Sequence, residues 1–277
     1  MEIDFILILL GIGIGALGTL IGAGGGFILV PVLILLYPTM KPEVLTAVSL
    51  AIVMVNALVG TIAYYQKRRI DFKAGIIFAV ATIPGSIIGV FVTTMIPRGQ
   101  FDVLFGILLI LLAFFLFFKS GKRKGKSKEL RTIKPGYTFQ RKKDKNGVIY
   151  EYAYSIKTGI IISLFIGFFS PLFGIGGGII HVPAMTEILY FPVHIATATS
   201  QFVLGVMAMI SVCVHYFQGS YDNPEVVRLM ILLGIGVVPG SLLGARLSTL
   251  IKGGVIIKVL AISLAIIGLR IMYNAFM

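Results

Sequence analysis

The sequence predicts an all-α polytopic membrane protein, built from two inverted-topology repeats with discontinuous helices at glycine-rich motifs. The first observation is composition: of 277 residues, 57% are hydrophobic and 13% are charged, whereas soluble domains carry about 25% charged residues. The second is a pair of similar motifs, "GAGGGFILVP" (Gly22–Pro31) and "GIGGGIIHVP" (Gly174–Pro183). The third is a single strongly basic segment between them.

Ten apolar segments are expected to form the helices, and most can cross a hydrocarbon core about 30 Å thick. They run over Ile3–Leu20, Phe27–Tyr37, Val44–Gln66, Phe72–Ile96, Phe101–Phe118, Ile156–Phe173, Ile179–Phe191, Ile195–Phe217, Val226–Leu250 and Val255–Phe276. Their length and aliphatic content favour about eight to ten helical segments over the short alternating strands of a membrane barrel. The first segment has an acidic flank, so we expect it to remain in the mature protein rather than to be a signal peptide.

Four motifs recur in the same order in the two halves of the chain. The pairs are the glycine motifs at an offset of 152 residues, TAVS (46–49) with TATS (197–200) and AYYQ (63–66) with VHYF (214–217) at 151, and IPGSIIG (83–89) with VPGSLLG (238–244) at 155. A duplicated unit accounts for this order. We therefore divide the chain into a first transmembrane repeat (1–118), a basic loop (119–155) and a second transmembrane repeat (156–277).

Charge assigns the orientation of the repeats. Residues 119–157 hold 13 of the 24 lysines and arginines and 3 of the 11 acids, which is typical of a cytoplasmic loop beside a plasma (inner) membrane. The loop near residue 70 is also basic, but its counterpart Gly219–Glu225 contains acids and neither lysine nor arginine. Matched loops on opposite sides mean inverted repeats, with a parallel four-plus-four arrangement as the alternative. The basic charge thus indicates a cytoplasmic loop that contacts membrane lipid, not nucleic acid.

The basic loop contains a β-hairpin of its own. Residues alternate on both sides of Lys145–Gly147, and Asn-Gly supplies the positive φ angles of a two-residue turn. The prediction is a cytoplasmic hairpin from Tyr137 to Tyr154, which acts as a spacer or as a gating or docking element.

Each glycine motif predicts a break in a helix. Glycine is less favourable in a helix than alanine by about 1 kcal/mol per residue. Val30 and Val182 precede prolines and are expected to be extended, whereas Pro31 and Pro183 suit the first turn of a new helix. The predicted order in each half is therefore helix, glycine turn, short extended piece and helix.

Two such breaks brought together near the bilayer midplane predict a site for a small anionic substrate, because helix N-termini attract anions and glycine lets a ligand approach the backbone. The candidate backbone ligands are Gly22, Gly24, Gly25, Gly26, Gly174, Gly176, Gly177 and Gly178. The candidate side chains are Ser49, Asn56, Ser200, Gln201 and His181. The alternatives are close helix packing by small residues and hydroxyls that bond to their own helix.

Two ionisable residues are candidates for coupling transport to protons. His181 stands where the first half has Leu29, so it is able to contact the substrate, carry a proton or form a structural hydrogen bond. Glu187 lies in a short apolar segment without an adjacent base, or reaches the membrane interface.

No enzyme or cofactor motif stands out. The chain has no P-loop, HExxH or paired-carboxylate motif, and the single Cys213 excludes an intramolecular disulfide and a cysteine-cluster metal site. We expect a secondary transporter without metal or cofactor, with a passive anion channel or a membrane-embedded enzyme as alternatives.

The paired glycine motifs, the TAVS and TATS segments, the PGS motifs and the central hydrophilic loop together resemble the TauE/SafE sulfite-exporter family, also called TSUP. The resemblance covers both halves of the chain. It implies a prokaryotic-type inner-membrane permease for sulfite, organosulfonates or other small organic anions. It leaves the substrate and the direction of transport open.

Overall fold

The helices follow the apolar segments closely. The structure is a computed structural model that describes residues 2–119, 136–248, 262 and 264–271. Its elements are α1 (Glu2–Ile21), α2 (Gly26–Leu36), α3 (Pro42–Gln66), α4 (Phe72–Thr93), α5 (Arg98–Lys119), β1 (Tyr137–Lys143), β2 (Ile149–Ser155), α6 (Ile156–Phe173), α7 (Gly178–Glu187), α8 (Val193–Phe217), α9 (Pro224–Leu247) and α10 (264–271). Within the described residues, six helices are long and apolar enough to cross a membrane: α1, α3, α4, α6, α8 and α9. Nine predicted segments each correspond to one helix, and the tenth, Val255–Phe276, lies partly outside the described residues.

Side-chain caps and prolines set several helix starts. The side chains of Asp71 and Ser155 accept hydrogen bonds from backbone N–H groups in the first turns of α4 and α6. Pro42 and Pro224 occupy the first turns of α3 and α9, where a missing N–H costs nothing. The long helices therefore begin where local chemistry favours a start.

Matched loops of the two halves lie at opposite ends of the molecule. The loop between α3 and α4 contacts the hairpin, because Arg69 pairs with Asp144 at 3.1 Å. The counterpart loop between α8 and α9 lies beside the N-terminus, where Asn223 and Asp4 line one cavity. α9 connects these two ends, since Ala245 near its last turn lines a cavity with Arg69 and Asp144. The repeats are therefore inverted, and we call the two ends the hairpin end and the N-terminal end.

The first helix of each half packs on the fourth helix of the other half. Glycines of the two PGS motifs make this close approach possible. A Cβ on Gly240 of α9 would lie 2.2 Å from the Ile12 carbonyl oxygen of α1, and a Cβ on Gly85 of α4 would lie 2.6 Å from the Leu164 carbonyl oxygen of α6. The α1–α9 and α4–α6 contacts, which we call the interlocked pairs, are thus made at backbone distance.

The predicted hairpin is present as the antiparallel strands β1 and β2, but its turn differs from the prediction. Asp144 donates its N–H to the Val148 carbonyl at 3.0 Å, so three residues, not two, make the connection. Gly147 has a φ of +83°, whereas Asn146 does not take a positive φ. The Asp144 carboxylate accepts hydrogen bonds from the N–H groups of Asn146 and Val148, which favours this wider turn.

The hairpin is packed on the helices. Tyr152 and Tyr154 of β2 are buried, and each has its ring centroid 4.7 Å from that of Phe191, between α7 and α8. These rings belong to an apolar cluster with α4, α7 and α8, while a larger cluster joins α1, α2, α3, α5 and α9. The hairpin is thus part of the folded core at its end of the molecule.

Candidate functional site

The two glycine motifs interrupt helices at equivalent places. α1 ends at Ile21 and α2 begins at Gly26, while α6 ends at Phe173 and α7 begins at Gly178. The glycines just before these helices adopt positive φ angles, which residues with a side chain rarely take. They are Gly22, Gly24, Gly25, Gly174, Gly176 and Gly177, with φ between +64° and +85°. The predicted helix breaks are present, and we call 22–25 and 174–177 the first and second glycine turns.

The extended piece predicted before each proline is wrong. Val30 and Val182 are helical, and Pro31 and Pro183 are the sixth residues of α2 and α7. The glycine that follows each turn, Gly26 or Gly178, already starts the helix. The bias of a residue before proline toward extended backbone is modest, and the packing of these buried helices outweighs it.

The two glycine turns contact each other. A Cβ on Gly26 would lie 2.4 Å from the carbonyl oxygen of Gly174, and a Cβ on Gly178 would lie 2.1 Å from the carbonyl oxygen of Gly22. Each short helix therefore begins against the glycine turn of the other half. We call this contact the glycine junction.

The start of each short helix presents unpaired backbone N–H groups to the junction. No acceptor among the described residues serves the N–H groups of Gly25, Gly26, Phe27, Gly176, Gly177 and Ile179. Those of Gly22, Gly24, Gly174 and Gly178 donate to carbonyls of their own half. Residues 14–36 and 170–186 contain no lysine, arginine, aspartate or glutamate. The local electrostatics are therefore set by helix N-termini, which favour an anion.

Ser49 and Ser200 are equivalent and bond across the junction. Ser49 donates its hydroxyl to the carbonyl of Gly174 at 2.6 Å, and Ser200 donates to the carbonyl of Gly22 at 3.2 Å. Neither serine bonds back to its own helix in these contacts. Both hydroxyls donate their proton to the glycine turn of the opposite half and hold it in place. Each serine oxygen can then only accept a further hydrogen bond.

Asn56 is the centre of a buried polar network on one side of the junction. Its Nδ2 donates to the carbonyl of Gly24 at 2.8 Å, and its Oδ1 accepts hydrogen bonds from the hydroxyls of Thr19 and Ser241. Gln201 Nε2 donates to Thr19 Oγ1 at 3.3 Å, whereas Gln201 Oε1 is buried with no partner among the residues described. The amide of Asn56 thus connects α3, α1, α9 and the first glycine turn.

We expect Asn56→Leu to destabilise the protein strongly. The change leaves the Thr19 and Ser241 hydroxyls and the Gly24 carbonyl without their partner, at about 1–3 kcal/mol for each buried group. Thermal unfolding in detergent measures the loss. The matched control is Met207→Leu at the equivalent position of the second half, a volume-conserving change that costs less than about 1.5 kcal/mol. Equal unfolding temperatures for the two variants would contradict the network.

A different set of polar groups lies on the other side of the junction. Ser170 Oγ is buried and has no partner in the part of the chain that the structure describes, and it lies 2.9 Å from where a Cβ on Gly177 would stand. His181 is buried, with Nε2 3.5 Å from Ser163 Oγ and Nδ1 without a partner among the described residues. Glu187 is the last residue of α7, about 14 Å along the helix from its start. Of the two proton-coupling candidates, His181 is thus the nearer to the junction.

Three polar residues of the site were missing from the sequence-based candidates. Ser241 belongs to the second PGS motif, so the repeated motif contained the signal. Thr19 and Ser170 each precede a glycine turn by a few residues, but their positions are not matched in the two halves. Only the contacts across helices identify these two.

The glycine junction is closed to solvent in this structure. All residues from 21 to 27 and from 170 to 179 are buried. The cavity of about 650 Å³ at the N-terminal end is lined by residues such as Asp4 and Tyr37, outside the glycine turns. Both glycine turns are thus enclosed by protein between the two ends of the molecule.

Comparison with known proteins adds an independent observation. A family model described as "Sulfite exporter TauE/SafE" matches residues 7–271. The chain is similar to the "Probable membrane transporter protein YunE" of Bacillus subtilis, at 34% identity over 97% of each chain. It is also similar to the "Probable membrane transporter protein MJ0441" of Methanocaldococcus jannaschii, at 28% identity over 90% of this chain and 89% of the relative. No solved structure matches the chain.

Proposed function

The chain belongs to the sulfite exporter TauE/SafE family of membrane transporters, and on that premise we propose that it carries a small sulfur-containing oxyanion, such as sulfite or an organosulfonate, through the glycine junction. The observation that supports this most directly is the meeting of two helix N-termini with unpaired N–H groups. Such groups bind anions without a buried lysine or arginine.

The donors around the second glycine turn suit an oxyanion. Gly176 and Gly177 offer unpaired N–H groups, and the Ser170 hydroxyl beside Gly177 has no acceptor among the described residues. Several neighbouring donors would suit the several oxygens of sulfite or a sulfonate. We propose that Gly25, Gly26 and the second turn together surround the anion, while Ser49 and Ser200 fix the turns.

Burial of the junction favours a carrier over a channel. A channel needs a continuous water-filled path, whereas both glycine turns are enclosed here. We propose alternating access, in which the junction opens first to one end and then to the other. Alternating access by rocking of one half against the other, a motion common among inverted repeats, would separate both interlocked pairs. The moving bodies would instead each combine helices of both halves, one with α1 and α9 and the other with α4 and α6.

We also propose the orientation and the coupling ion. The positive-inside rule favours a cytoplasmic hairpin end, since Lys142, Lys143 and Lys145 of the hairpin and Arg68 and Arg69 of the α3–α4 loop lie there. His181 is our candidate for proton coupling, because its ring is buried one turn from the junction and its Nδ1 has no partner within the described residues.

Sulfite uptake into proteoliposomes tests the proposed function. We expect saturable uptake that shows counterflow and that an imposed proton gradient accelerates, with the acceleration lost in His181→Asn. We expect Ser170→Ala to raise the KM for sulfite about tenfold, because it removes one donor to a charged ligand. The matched control is Ser86→Ala, since Ser86 bonds only within α4 at the Ile83 carbonyl. Wild-type protein that moves no sulfite or organosulfonate would refute the proposal.

A further inference from the structure

A basic cavity lies at the hairpin end, apart from the glycine junction. It has a volume of about 370 Å³ and opens between the last turns of α3 and α9 and the turn of the hairpin. Its charged lining residues are Lys67, Arg69, Asp144, Lys145 and Arg246. Four cations and one carboxylate give it a strongly positive lining. We call it the basic vestibule.

The hydrogen-bond donors of Arg69 are only partly matched. Its side chain is 6% exposed, and Nε and Nη2 both donate to Asp144 Oδ2, at 3.3 and 3.1 Å. The remaining nitrogen, Nη1, is buried without a partner among the described residues. A buried guanidinium N–H without an acceptor is costly. Arg69 lines the vestibule, so this unsatisfied donor belongs to the wall of the cavity.

The hairpin holds these cations in place. Lys145 donates its backbone N–H to the Lys67 carbonyl at 3.1 Å, so the turn is attached to the end of α3. Lys67 Nζ donates to the Ala245 carbonyl of α9. Burial and the neighbouring Arg69 charge lower the pKa of Lys67 to about 8, so a bound anion would favour its charged form.

Small residues connect the vestibule with the polar network at the junction. Asn56, Gly60, Ala63 and Lys67 follow one another along one face of α3 at helical spacing, and Ala63 lines the vestibule. On α9, Ala245 lines it one turn after Ser241, which donates to Asn56. The distance along α3 from Ala63 to Asn56 is about 10 Å. The vestibule thus lies two helical turns from the network that holds the first glycine turn.

We propose that the basic vestibule is a second oxyanion-binding site, which captures the transported anion at the hairpin end before it reaches the glycine junction. Its volume and converging cations suit a sulfite- or sulfate-sized anion, or the phosphate of an anionic lipid headgroup with the same chemistry. The identity of the transported anion rests on the proposed function. The presence of an oxyanion site at this position does not.

Sulfate binding to the full-length protein in nanodiscs of neutral lipid tests the vestibule. We expect Lys67→Gln combined with Arg246→Gln to weaken sulfate binding at one site about tenfold or more. Lys145 lies on the exposed surface of the hairpin turn, so Lys145→Gln removes a vestibule cation without changing a helical residue. We expect this variant to weaken sulfate binding less than the double variant does. The matched control is Lys73→Gln, an exposed lysine at the same end that lines none of the described cavities. Unchanged sulfate affinity in all vestibule variants would overturn the proposal.

Transport and lipid composition separate the remaining explanations. A capture site predicts a higher KM for sulfite uptake in the double variant with a nearly unchanged maximal rate. A lower maximal rate at an unchanged KM would indicate a structural role and contradict capture. If sulfate binds equally well in nanodiscs of neutral lipid and of phosphatidylglycerol, the occupant of the site is a free anion. If sulfate affinity is lost only in the phosphatidylglycerol nanodiscs, a lipid headgroup occupies the site, and capture of the transported anion is overturned. Sulfate binding without sulfite transport would refute the proposed function and leave the vestibule site intact.

Discussion

Alanine at Gly178 is expected to abolish sulfite uptake, although it adds only one methyl group. That methyl group would lie 2.1 Å from the carbonyl oxygen of Gly22, and the contact is with backbone, which cannot rotate away. Overpacking of this kind costs about 1–3 kcal/mol or more, and relief requires the two glycine turns to separate. The unpaired N–H groups would then no longer converge. The measurement is initial uptake rate, with thermal unfolding recorded on the same preparation.

Gly26→Ala should behave in the same way, because its methyl group would lie 2.4 Å from the Gly174 carbonyl oxygen. Gly13→Ala and Gly234→Ala are the matched controls, since a Cβ at either helical position has no neighbour within 4 Å. Each control is expected to keep full uptake and to gain up to about 1 kcal/mol of stability from the better helix former. Uptake by Gly178→Ala at the rate of these controls would disprove the need for backbone contact at the junction.

Asp144→Ala is the second large expected effect. Asp144 and Arg69 are 4% and 5% exposed, and the carboxylate also accepts two N–H groups of the hairpin turn. Removing one partner of a buried ion pair costs about 3–5 kcal/mol, because the other charge stays buried. We expect the hairpin to detach from the end of α3, with faster hydrogen exchange in β1 and β2 and weaker sulfate binding at the vestibule.

The exposed ion pair on the same hairpin is the control for this effect. Arg141 and Glu151 are 3.4 Å apart, with side chains 64% and 52% exposed, and such pairs contribute about 0–1 kcal/mol. Glu151→Gln should therefore leave hydrogen exchange nearly unchanged. Equal exchange rates in the Asp144 and Glu151 variants would show that the buried pair does not anchor the hairpin.

The buried pair of Asp144 and Arg69 also predicts how acid affects the hairpin. Burial alone would raise the pKa of Asp144, but hydrogen bonds from Arg69 and from the backbone N–H of Val148 hold that pKa below its usual value. A lowered pKa means that the stabilisation is fully present above the unfolded-state value of about 3.9. It is lost as the pH falls through the folded-state pKa. Docking of the hairpin is therefore expected to persist throughout the neutral and mildly acidic range.

Much of the fold could be predicted because its signals are local or repeated. The length of the apolar segments predicts the helices, and the glycine runs predict the two helix breaks. The distribution of lysine and arginine predicts that matched loops lie at opposite ends of the molecule. The extended backbone predicted before Pro31 was wrong, because the preference of Val30 for extended backbone is weaker than the packing of a buried helix. The two-residue turn predicted from Asn146–Gly147 was also wrong, because hydrogen bonds to the Asp144 carboxylate stabilise a three-residue turn.

The site was only partly predictable because its contacts cross between helices far apart in sequence. Ser49 and Ser200 were found through the repeat, which places them at equivalent positions. The partners of Asn56 are on α1 and α9, and no spacing rule relates Thr19 to Ser241. Asn56 itself aligns with Met207, so the symmetry that identified the glycine turns gives no information about it. The roles of the candidate site residues remain predictions for the experiments above.

The interlocked pairs also make each half depend on the other. A single repeat would expose the faces on which Gly85 or Gly240 meets a partner helix, so it has no complete core of its own. Each half therefore needs a partner of opposite orientation in the same membrane to cover these faces. Separately expressed 1–118 and 156–277 should consequently reassemble only when they insert in opposite directions.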